Sequence, residues 1–337
     1  MIYPSFIKEK EYIGVCAPSN GITNEIKQKR VDNAYKKLNE YGFKTKETAS
    51  VRNNLNGKSN TSEIIAEEID SLITNNKIKW IICATGGDFI MEILPYINYN
   101  NICKNPKWIQ GYSDITALIY TITTNYDIAT IYGYNIGSFG MNNWHQSIID
   151  NIELISGTNN TQFSYDYYEN EFHKYITGYE EFYKDEKVCW KEINDRNNFE
   201  IQGRIIGGCI DVIKTLIGTK YDKTSDFINK YKDDGIIWYF DNYDLNVESL
   251  INALLQIKYC GYFNYTKGII FGRSVTETSF YNIPFKEGLK RALNDLNIPV
   301  IYDADIGHKH PEMSIINGSI ATIFYNDNKG KIIQKLL

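Results

Sequence analysis

A serine at position 113 stands in a setting that suits a catalytic nucleophile. It lies within residues 107–119, KWIQGYSDITALI, where an apolar strand is followed by Gly111 and then by a helix that opens at Asp114. A serine on such a strand–turn–helix elbow has an exposed hydroxyl, and the N–H groups of the helix N-terminus beside it bind developing negative charge. Thr116 stands where a full G-x-S-x-G elbow has its second glycine. The stretch alone therefore leaves open the alternative that Ser113 caps the helix.

The sequence contains four histidines, and a general base for Ser113 would come from among them. His145 and His173 lie in a polar segment, so a solvated surface position is predicted for both. His308 follows a glycine at the end of an apolar strand, which is a better position for an active-site imidazole. His310 is the competing candidate two residues further on. An H-x-H pair can also bind a metal ion, but no further cluster of histidine or cysteine supports a metal site.

A third group is needed to orient the imidazole and to stabilise its cation. Asp241 directly follows the apolar strand GIIWYF at 235–240, where an unpaired carboxylate would be costly. The alternative is that Asp241 caps the next turn, with Asp244 and Glu248 as nearby acids. The chain order Ser…Asp…His is that of the α/β-hydrolases.

Hydrophobic periodicity in the first part of the chain predicts strands that alternate with helices. Such alternation is typical of a parallel sheet covered on both faces, with ligands at the carboxyl ends of the strands. The loops after Ala84 and Gln110 lie at such ends. A helix with Asn60 as its N-cap and Glu63 at the N3 position is predicted after the second strand. The predicted strands are 12–18, 43–48, 80–84, 107–110 and 129–132, and the first helix is 25–41.

The later part of the chain resumes this pattern after an interruption. Residues 141–200 are rich in Asn, Tyr, Glu and Asp and lack long periodicity, which predicts a connection into a second domain that can include short strands. We therefore expect a nucleophile domain at 1–140, the connection at 141–200, and a second domain at 201–337 that carries the acid and the histidine. Its predicted strands are 201–208, 235–240, 268–271, 299–302, 320–325 and 331–336, with helices through Val212, at 247–257 and at 285–296.

Composition indicates a soluble, globular protein. Hydrophobic residues make up 43% and charged residues 23%, and the net charge of −5 without a basic block argues against a nucleic-acid partner. The sequence contains no run of about 18 apolar residues, so no membrane span is predicted. The first residues show no signal-peptide pattern. The six cysteines are scattered without a C-x-x-C motif. We expect buried free thiols and a cytoplasmic location.

Taken in order, the motifs of this chain resemble those of the LD-carboxypeptidases, a family that includes the microcin C self-immunity peptidases. The resemblance covers nearly the whole sequence, and the combination is specific although each motif alone is not. The matching segments are IGVCAPS (13–19), ATGGDF (84–89), GYSDIT (111–116), GRIIGGC (203–209), the strand that ends at Asp241, GIIFGR (268–273) and Gly-His (307–308).

The resemblance implies a flavodoxin-like N-terminal domain, a C-terminal swivelling α/β domain and a homodimer, without metal or cofactor. It assigns Ser113 as nucleophile, His308 as general base and Asp241 as the acid, where the family usually has the longer glutamate. The oxyanion hole would combine the N–H of Asp114 with one from the Gly86–Gly87 pair. Many members place an arginine before these glycines, whereas this chain has threonine at position 85.

The activity implied by the resemblance is amide hydrolysis in a small peptide or peptidyl substrate. The family's typical substrate is the cytoplasmic murein tetrapeptide, whose L–D bond is cut to release D-alanine. The immunity branch cleaves a peptidyl-nucleotide antibiotic, and Trp144 or Trp190 would be the residues to stack on its adenine unless both are buried. The short acid also leaves open a weakly active or non-catalytic binding protein.

Overall fold

The computed structural model describes all 337 residues and contains sixteen strands and nine α-helices in two main sheets and one small two-stranded sheet. The first elements are β1 (Tyr12–Cys16), α1 (Glu25–Glu40), β2 (Lys44–Glu47), α2 (Ser62–Ile73), β3 (Ile78–Cys83), α3 (Tyr99–Lys104), β4 (Trp108–Gly111), α4 (Thr116–Tyr126), β5 (Thr130–Tyr132), α5 (Gln146–Ser156), β6 (Thr161–Phe163), β7 (Tyr167–Tyr168), β8 (Glu186–Lys187) and β9 (Lys191–Glu192). They are followed by β10 (Phe199–Cys209), α6 (Ile210–Leu216), α7 (Thr224–Lys230), β11 (Ile236–Asp241), α8 (Val247–Tyr259), β12 (Thr266–Gly272), α9 (Phe285–Leu293), β13 (Val300–Ala304), β14 (Ile315–Asn317), β15 (Ile320–Asn326) and β16 (Lys329–Lys335).

The first sheet has the strand order of flavodoxin-like folds. Its strands run β2–β1–β3–β4–β5 with parallel pairing throughout, and β14 from the distant end of the chain adds antiparallel to β5. This confirms the predicted α/β class and its flavodoxin-like N-terminal sheet. The strand order reverses between β1 and β3, and ligands of such sheets bind beyond the carboxyl ends of the strands at that point.

Both faces of this sheet are buried, as the near-continuous apolar runs of its strands require. Because side chains alternate along a strand, Trp80 and Ile82 of β3 enter one apolar cluster of 25 buried residues, whereas Ile81 and Cys83 enter another of 66. Helices α1 and α5 contribute to the smaller cluster, and α2 and α4 to the larger one.

Helix boundaries follow capping chemistry closely. The side chain of Asn24 accepts a hydrogen bond from the N–H of Lys27 at the start of α1, which buries Val31, Ala34 and Leu38. The prediction of Asn60 as the cap of α2 is wrong, since Thr61 is the cap and accepts from the N–H of Ile64. Asn60 instead donates from its side chain to Ser50.

The second sheet carries the remaining strands, in the order β6–β16–β15–β10–β11–β12–β13–β9. Strands β10, β11, β12 and β13 are mutually parallel, and α8 and α9 lie in the connections between them. The terminal strands β15 and β16 form an antiparallel pair, as predicted. The carboxyl ends of β11 and β13 lead directly into Asp241 and into the segment that carries His308.

Residues 141–200 are more ordered than their composition predicts. The expectation of a connection with short strands did not include α5, which buries Ile148, Ile152 and Ile155 against the first sheet. The segment also provides β6 and β9, which form the two edges of the second sheet. The helix takes up only the first part of the segment, at Gln146–Ser156, and the polar residues that follow it dominate the composition.

The six cysteines differ in their burial. All six cysteines are free thiols, but only Cys16, Cys83 and Cys209 are buried, whereas Cys103 and Cys260 are exposed. None of the helices combines the length and the apolar character that a membrane-spanning helix requires.

The two sheets meet where β10 ends against the start of α4. The N–H of Cys209 donates to the hydroxyl of Thr116 at 3.0 Å, and a Cβ on Gly208 would lie 2.5 Å from the methyl group of Thr116. Thr116, which departs from the glycine of the full elbow motif, therefore connects the serine elbow to the second sheet.

Strand β10 also approaches β11 so closely that a side chain at Gly207 has no room. A Cβ there would lie 1.8 Å from the carbonyl oxygen of Tyr239, which is backbone and cannot move independently of the sheet. We expect Gly207→Ala to lower the free energy of unfolding by about 1–3 kcal/mol, measured by urea denaturation. Gly137→Ala is the control, since nothing lies within 4 Å of its Cβ position. Equal stability of the two variants would contradict the close strand contact.

Candidate active site

Ser113 sits on a sharp turn immediately after β4. Its φ of +65° lies in the left-handed region, which is uncommon for residues other than glycine and is found at strained functional turns. A 3-10 turn at Ser113–Ile115 follows and continues into α4. The Ser113 side chain makes no capping hydrogen bond at either helix start. The structure thus rules against the capping alternative and leaves the hydroxyl partly exposed.

Of the two predicted oxyanion glycines, only Gly86 adjoins the serine. A Cβ on Gly86 would lie 2.9 Å from the Cβ of Ser113, 3.0 Å from its Oγ and 3.6 Å from the backbone N of Asp114. A Cβ on Gly87 would instead lie 2.3 Å from the Oγ of Ser19. The loop after β3 and the serine elbow therefore approach at Gly86, and any larger residue there would occupy the space beside the hydroxyl.

The side chain of Asp114 holds three loops of the site together. Its Oδ2 accepts hydrogen bonds from the Oγ of Ser19 at 2.5 Å and from the N–H of Ile90 at 3.0 Å. Burial raises the pKa of the Asp114 carboxyl, and these two hydrogen bonds oppose the rise. The loops after β1 and β3 are thereby fixed against the elbow.

The structure brings His308 and Asp241 into direct contact. His308 Nδ1 lies 2.7 Å from Asp241 Oδ2, and the carboxylate is fully buried at the end of β11. The alternative acids are elsewhere: Asp244 is exposed, and Glu248 accepts a hydrogen bond from Ser279. Asp241 is therefore the acid that positions this imidazole.

A glycine allows the short aspartate to reach the histidine. Gly307 has a φ of +89°, and a Cβ on it would lie 2.1 Å from Asp241 Oδ1. The backbone before His308 thus passes directly against the carboxylate. Aspartate suffices at this position, where the family usually has the longer glutamate.

Tyr132, at the end of β5, links the acid to the elbow, and sequence reasoning missed it. Its hydroxyl donates to Asp241 Oδ2 at 2.5 Å and lies 3.5 Å from the N of Ser113. Burial, followed by the charge of Asp241, raises the pKa of Tyr132 well above its usual range, so the hydroxyl stays protonated and donates. Its place at the carboxyl end of a parallel strand was the available signal, but 27 tyrosines in the chain obscured it.

Aromatic rings enclose the imidazole of His308. The Tyr112 ring centroid lies 5.0 Å away and the Tyr243 centroid 4.5 Å away. Because Tyr112 directly precedes Ser113, this contact places the imidazole against the serine elbow.

His310 has a different environment from His308. It packs among Tyr112, Tyr134 and Phe182, and burial lowers its pKa to about 3, so it is neutral at physiological pH. No group of three His, Cys, Asp or Glu side chains is arranged to hold a metal ion. The H-x-H pair is thus divided between two environments.

The two remaining histidines have structural contacts outside the site. The prediction of a solvated surface role is wrong for His145, which caps α5 by accepting from the N–H of Ser147 and is only half-exposed. His173 pairs with Asp185.

A second buried carboxyl, Glu312, lies near the acid and was also missed. It is fully buried, and neither carboxyl oxygen has a hydrogen-bond partner. Burial and then the charge of Asp241 raise the pKa of Glu312 well above its usual range. Its neutral form leaves Asp241 as the charged acid next to His308. No sequence pattern marked this residue.

A cavity on another part of the molecule lies outside this constellation. It has a volume of about 580 Å³, runs along α5 and residues 161–184, and includes none of the predicted catalytic residues. The ring of Phe182 lines it and stacks on His310 from that side. The candidate site is therefore assigned from the side chains that lie around Ser113, and not from the position of this cavity.

Both tryptophans proposed for adenine stacking pack against protein. Trp190 is fully buried and donates to Asp305 at 2.8 Å. Trp144 donates to the carbonyl of Phe139 and packs against Tyr41. Structural burial was the alternative for both residues. Trp190 is fully buried, whereas Trp144 is only partly buried.

The parallel first sheet, the second α/β unit and the site at the strand ends define a two-sheet α/β protein with a serine elbow at its candidate site. Sequence comparison gives the family. A model of the LD-carboxypeptidase N-terminal domain matches residues 13–133, and one of the C-terminal domain matches residues 202–323. The chain belongs to the LD-carboxypeptidase family.

Known relatives include both branches of this family. The microcin C7 self-immunity protein MccF of Escherichia coli is 25% identical, with 83% of this chain and 81% of MccF covered. A Bacillus subtilis protein named "Probable murein peptide carboxypeptidase" is 21% identical over 95% of this chain and 91% of its own. The crystal structure of an MccF-like protein from Bacillus anthracis has the same fold, with a TM-score of 0.83, 23% identity and full coverage of both chains.

We expect Asp241→Asn to keep the fold and to slow the reaction of Ser113 with a fluorophosphonate label. An asparagine Nδ2 cannot accept the hydrogen bond from His308, and the equivalent change in the serine proteases lowers turnover by about 10⁴. The matched control is Asp244→Asn, which neutralises an exposed carboxylate in the following loop. Full labelling of Asp241→Asn would show that the His308–Asp241 contact does not activate the serine.

The contrast between the two neighbouring histidines gives a separate test. His308→Ala should reduce fluorophosphonate labelling almost as severely as loss of the serine, on the order of 10⁶, because members of a triad act as a unit. His310→Ala should label within about tenfold of wild type, since it contacts no acid. Equal and severe losses, with zinc in the purified wild-type protein, would indicate a metal site instead.

Proposed function

We propose that this protein is a serine carboxypeptidase that hydrolyses the L–D amide bond of the murein tetrapeptide and releases D-alanine. The observation that carries the proposal is the 2.7 Å contact between His308 and the buried Asp241, which Tyr132 and Tyr112 connect to the elbow of Ser113. Membership of the LD-carboxypeptidase family supports the reaction class.

In the proposed reaction the Oγ of Ser113 attacks the scissile carbonyl carbon while His308 Nε2 takes the hydroxyl proton. Asp241 keeps the proton of the imidazole on Nδ1 and stabilises the cation that forms. The tetrahedral intermediate collapses as the imidazolium gives its proton to the leaving amine. Water then attacks the acyl-enzyme with His308 again acting as general base.

The negative charge of the tetrahedral intermediate needs nearby N–H donors. The N–H of Asp114 at the start of the helical turn is the first, and the Gly86–Gly87 pair supplies the second. Of these glycines, the packing of Gly86 against Ser113 supports Gly86 more strongly.

The surroundings of Asp241 support its role as the single negative charge next to His308. Its Oδ2 accepts from both His308 and Tyr132, and the neighbouring carboxyl of Glu312 is neutral. A lone charge with two donors favours imidazolium formation during attack. These contacts argue against the weakly active or non-catalytic alternative.

A second candidate function is hydrolysis of a peptidyl-nucleotide, as in the immunity branch. The 25% identity to MccF over 83% of this chain favours it. The packing of Trp190 and Trp144 against protein weighs against an indole platform for adenine in this chain. For either substrate we propose that the protein needs no metal or cofactor and acts as a homodimer in the cytoplasm.

Ser113→Ala should abolish hydrolysis while the protein stays folded, with a loss on the order of 10⁶ in turnover. Liquid chromatography would follow the murein tetrapeptide and a peptidyl-adenylate analogue in parallel, and the preferred compound decides between the two candidates. Ser71→Ala, on the exposed side of α2, is the matched control. The assignment fails if Ser113→Ala keeps activity within about tenfold of wild type on the preferred substrate.

A further inference from the structure

A small cavity next to the serine elbow has two cations and no carboxylate in its wall. Its volume is about 150 Å³, and Lys27 and Arg30 of α1 line one side. Thr85 and Tyr112, which directly precede Gly86 and Ser113, line another. The cavity therefore adjoins the residues proposed to carry out the reaction, and its wall favours an anion.

Arg30 is a buried guanidinium without an ion pair. Its side chain is almost fully buried, with the residue 2% exposed, and no carboxylate lies within 4.0 Å of it. Nη1 donates to the carbonyls of Gly178 at 3.2 Å and Glu180 at 2.8 Å, and the guanidinium stacks on the Tyr175 ring. Nε has no partner. A buried cation in this state is costly unless an anion completes its surroundings.

The nearest acid on this segment is already engaged. The carboxylate of Glu180 accepts hydrogen bonds from the N–H groups of Ile176, Thr177 and Gly178. It is thus held by its own loop, and the charges of Glu180 and Glu169 act on Arg30 without forming an ion pair with it.

Two more polar atoms of the same wall lack partners. Oδ1 of Asn135 and Nδ1 of His310 are both buried without a hydrogen bond. The Asn135 oxygen lies beside the elbow strand, 3.0 Å from where a Cβ on Gly111 would be. Buried polar groups are normally satisfied, so three unpartnered atoms in one cavity indicate a polar ligand that supplies both acceptors and a donor.

We infer that this cavity binds the terminal carboxylate of the peptide substrate, with Arg30 as the residue that binds it. The inference rests on the proposed function. A carboxypeptidase that releases one residue must hold a carboxylate within one residue of the scissile carbonyl, a spacing of about 3.8 Å between Cα atoms. A cavity that adjoins Tyr112 and Thr85 meets this requirement. The unpartnered oxygen of Asn135 accepts from the amine of the same leaving residue.

Arg30 also anchors the loop at residues 178–180, so the test must separate binding from structure. Loss of a structural anchor weakens every ligand equally, whereas loss of a carboxylate site weakens only the acid. The comparison is therefore between the murein tetrapeptide and its C-terminal carboxamide. Calorimetry on the non-hydrolysing Ser113→Ala protein keeps binding separate from turnover.

We expect the Ser113→Ala protein to bind the acid about 10- to 100-fold more tightly than the amide, as charge-assisted hydrogen bonds typically provide. Adding Arg30→Met should abolish this preference, and Arg30→Lys should retain part of it. Lys27→Gln, at an exposed position, should reduce it. Lys29→Gln removes an exposed charge from the same helix and should leave the preference unchanged.

The inference is overturned if the Ser113→Ala protein does not prefer the acid, or if the preference survives Arg30→Met. It is also overturned if adenosine monophosphate binding, and not the acid preference, depends on Arg30, since the anion would then be a phosphate. Failure of the proposed function has a different signature: the wild-type protein leaves the tetrapeptide intact while the Arg30-dependent acid preference persists.

Discussion

The active site of this protein depends on one fully buried carboxylate. Asp241 has no exposure to solvent, and a charge in that position is tolerated only when hydrogen bonds replace its hydration. His308 and Tyr132 provide the hydrogen bonds to Oδ2, whereas Oδ1 is buried without a partner. Tyr132 belongs to the first sheet, whereas Asp241 and His308 follow strands of the second. The two hydrogen bonds to Oδ2 therefore require the strand ends of both sheets to meet at one point.

The nucleophile side of the site is organised by close backbone approach. The positive φ of Ser113 costs conformational energy, on the order of 1–3 kcal/mol for such residues, and surrounding contacts must hold it. Asp114 ties the elbow to the loops after β1 and β3, and Gly86 leaves no side chain beside the hydroxyl. Thr116 adds a hydrogen bond to Cys209 of the second sheet. The elbow is thus preorganised before any substrate arrives.

The same constraint explains how two departures from the usual family pattern are accommodated. The shorter acid works geometrically because Gly307 lets the chain before His308 pass against Asp241. Thr85 carries no charge where many relatives have arginine, and the nearby cavity holds the buried guanidinium of Arg30, which comes from α1. Each departure from the family motif thus has a residue of another segment beside it: Gly307 lies against Asp241, and Arg30 lines the same cavity as Thr85.

The sequence by itself determined the α/β class, because strand and helix periods are local properties. Its motifs carried the resemblance to the family, and that resemblance implied the flavodoxin-like first sheet. The sequence also marked Ser113, Asp241 and His308 as candidates, since each follows an apolar strand. It could not decide between Asp241, Asp244 and Glu248, and it missed Tyr132, Glu312, α5 and the cap at Thr61. Tyr132 and Asp241 are 109 positions apart, and His308 is 67 positions beyond Asp241. Only the order and register of strands in two sheets bring such residues together, so tertiary structure alone decided which acid meets the histidine and which cation is left buried without a partner.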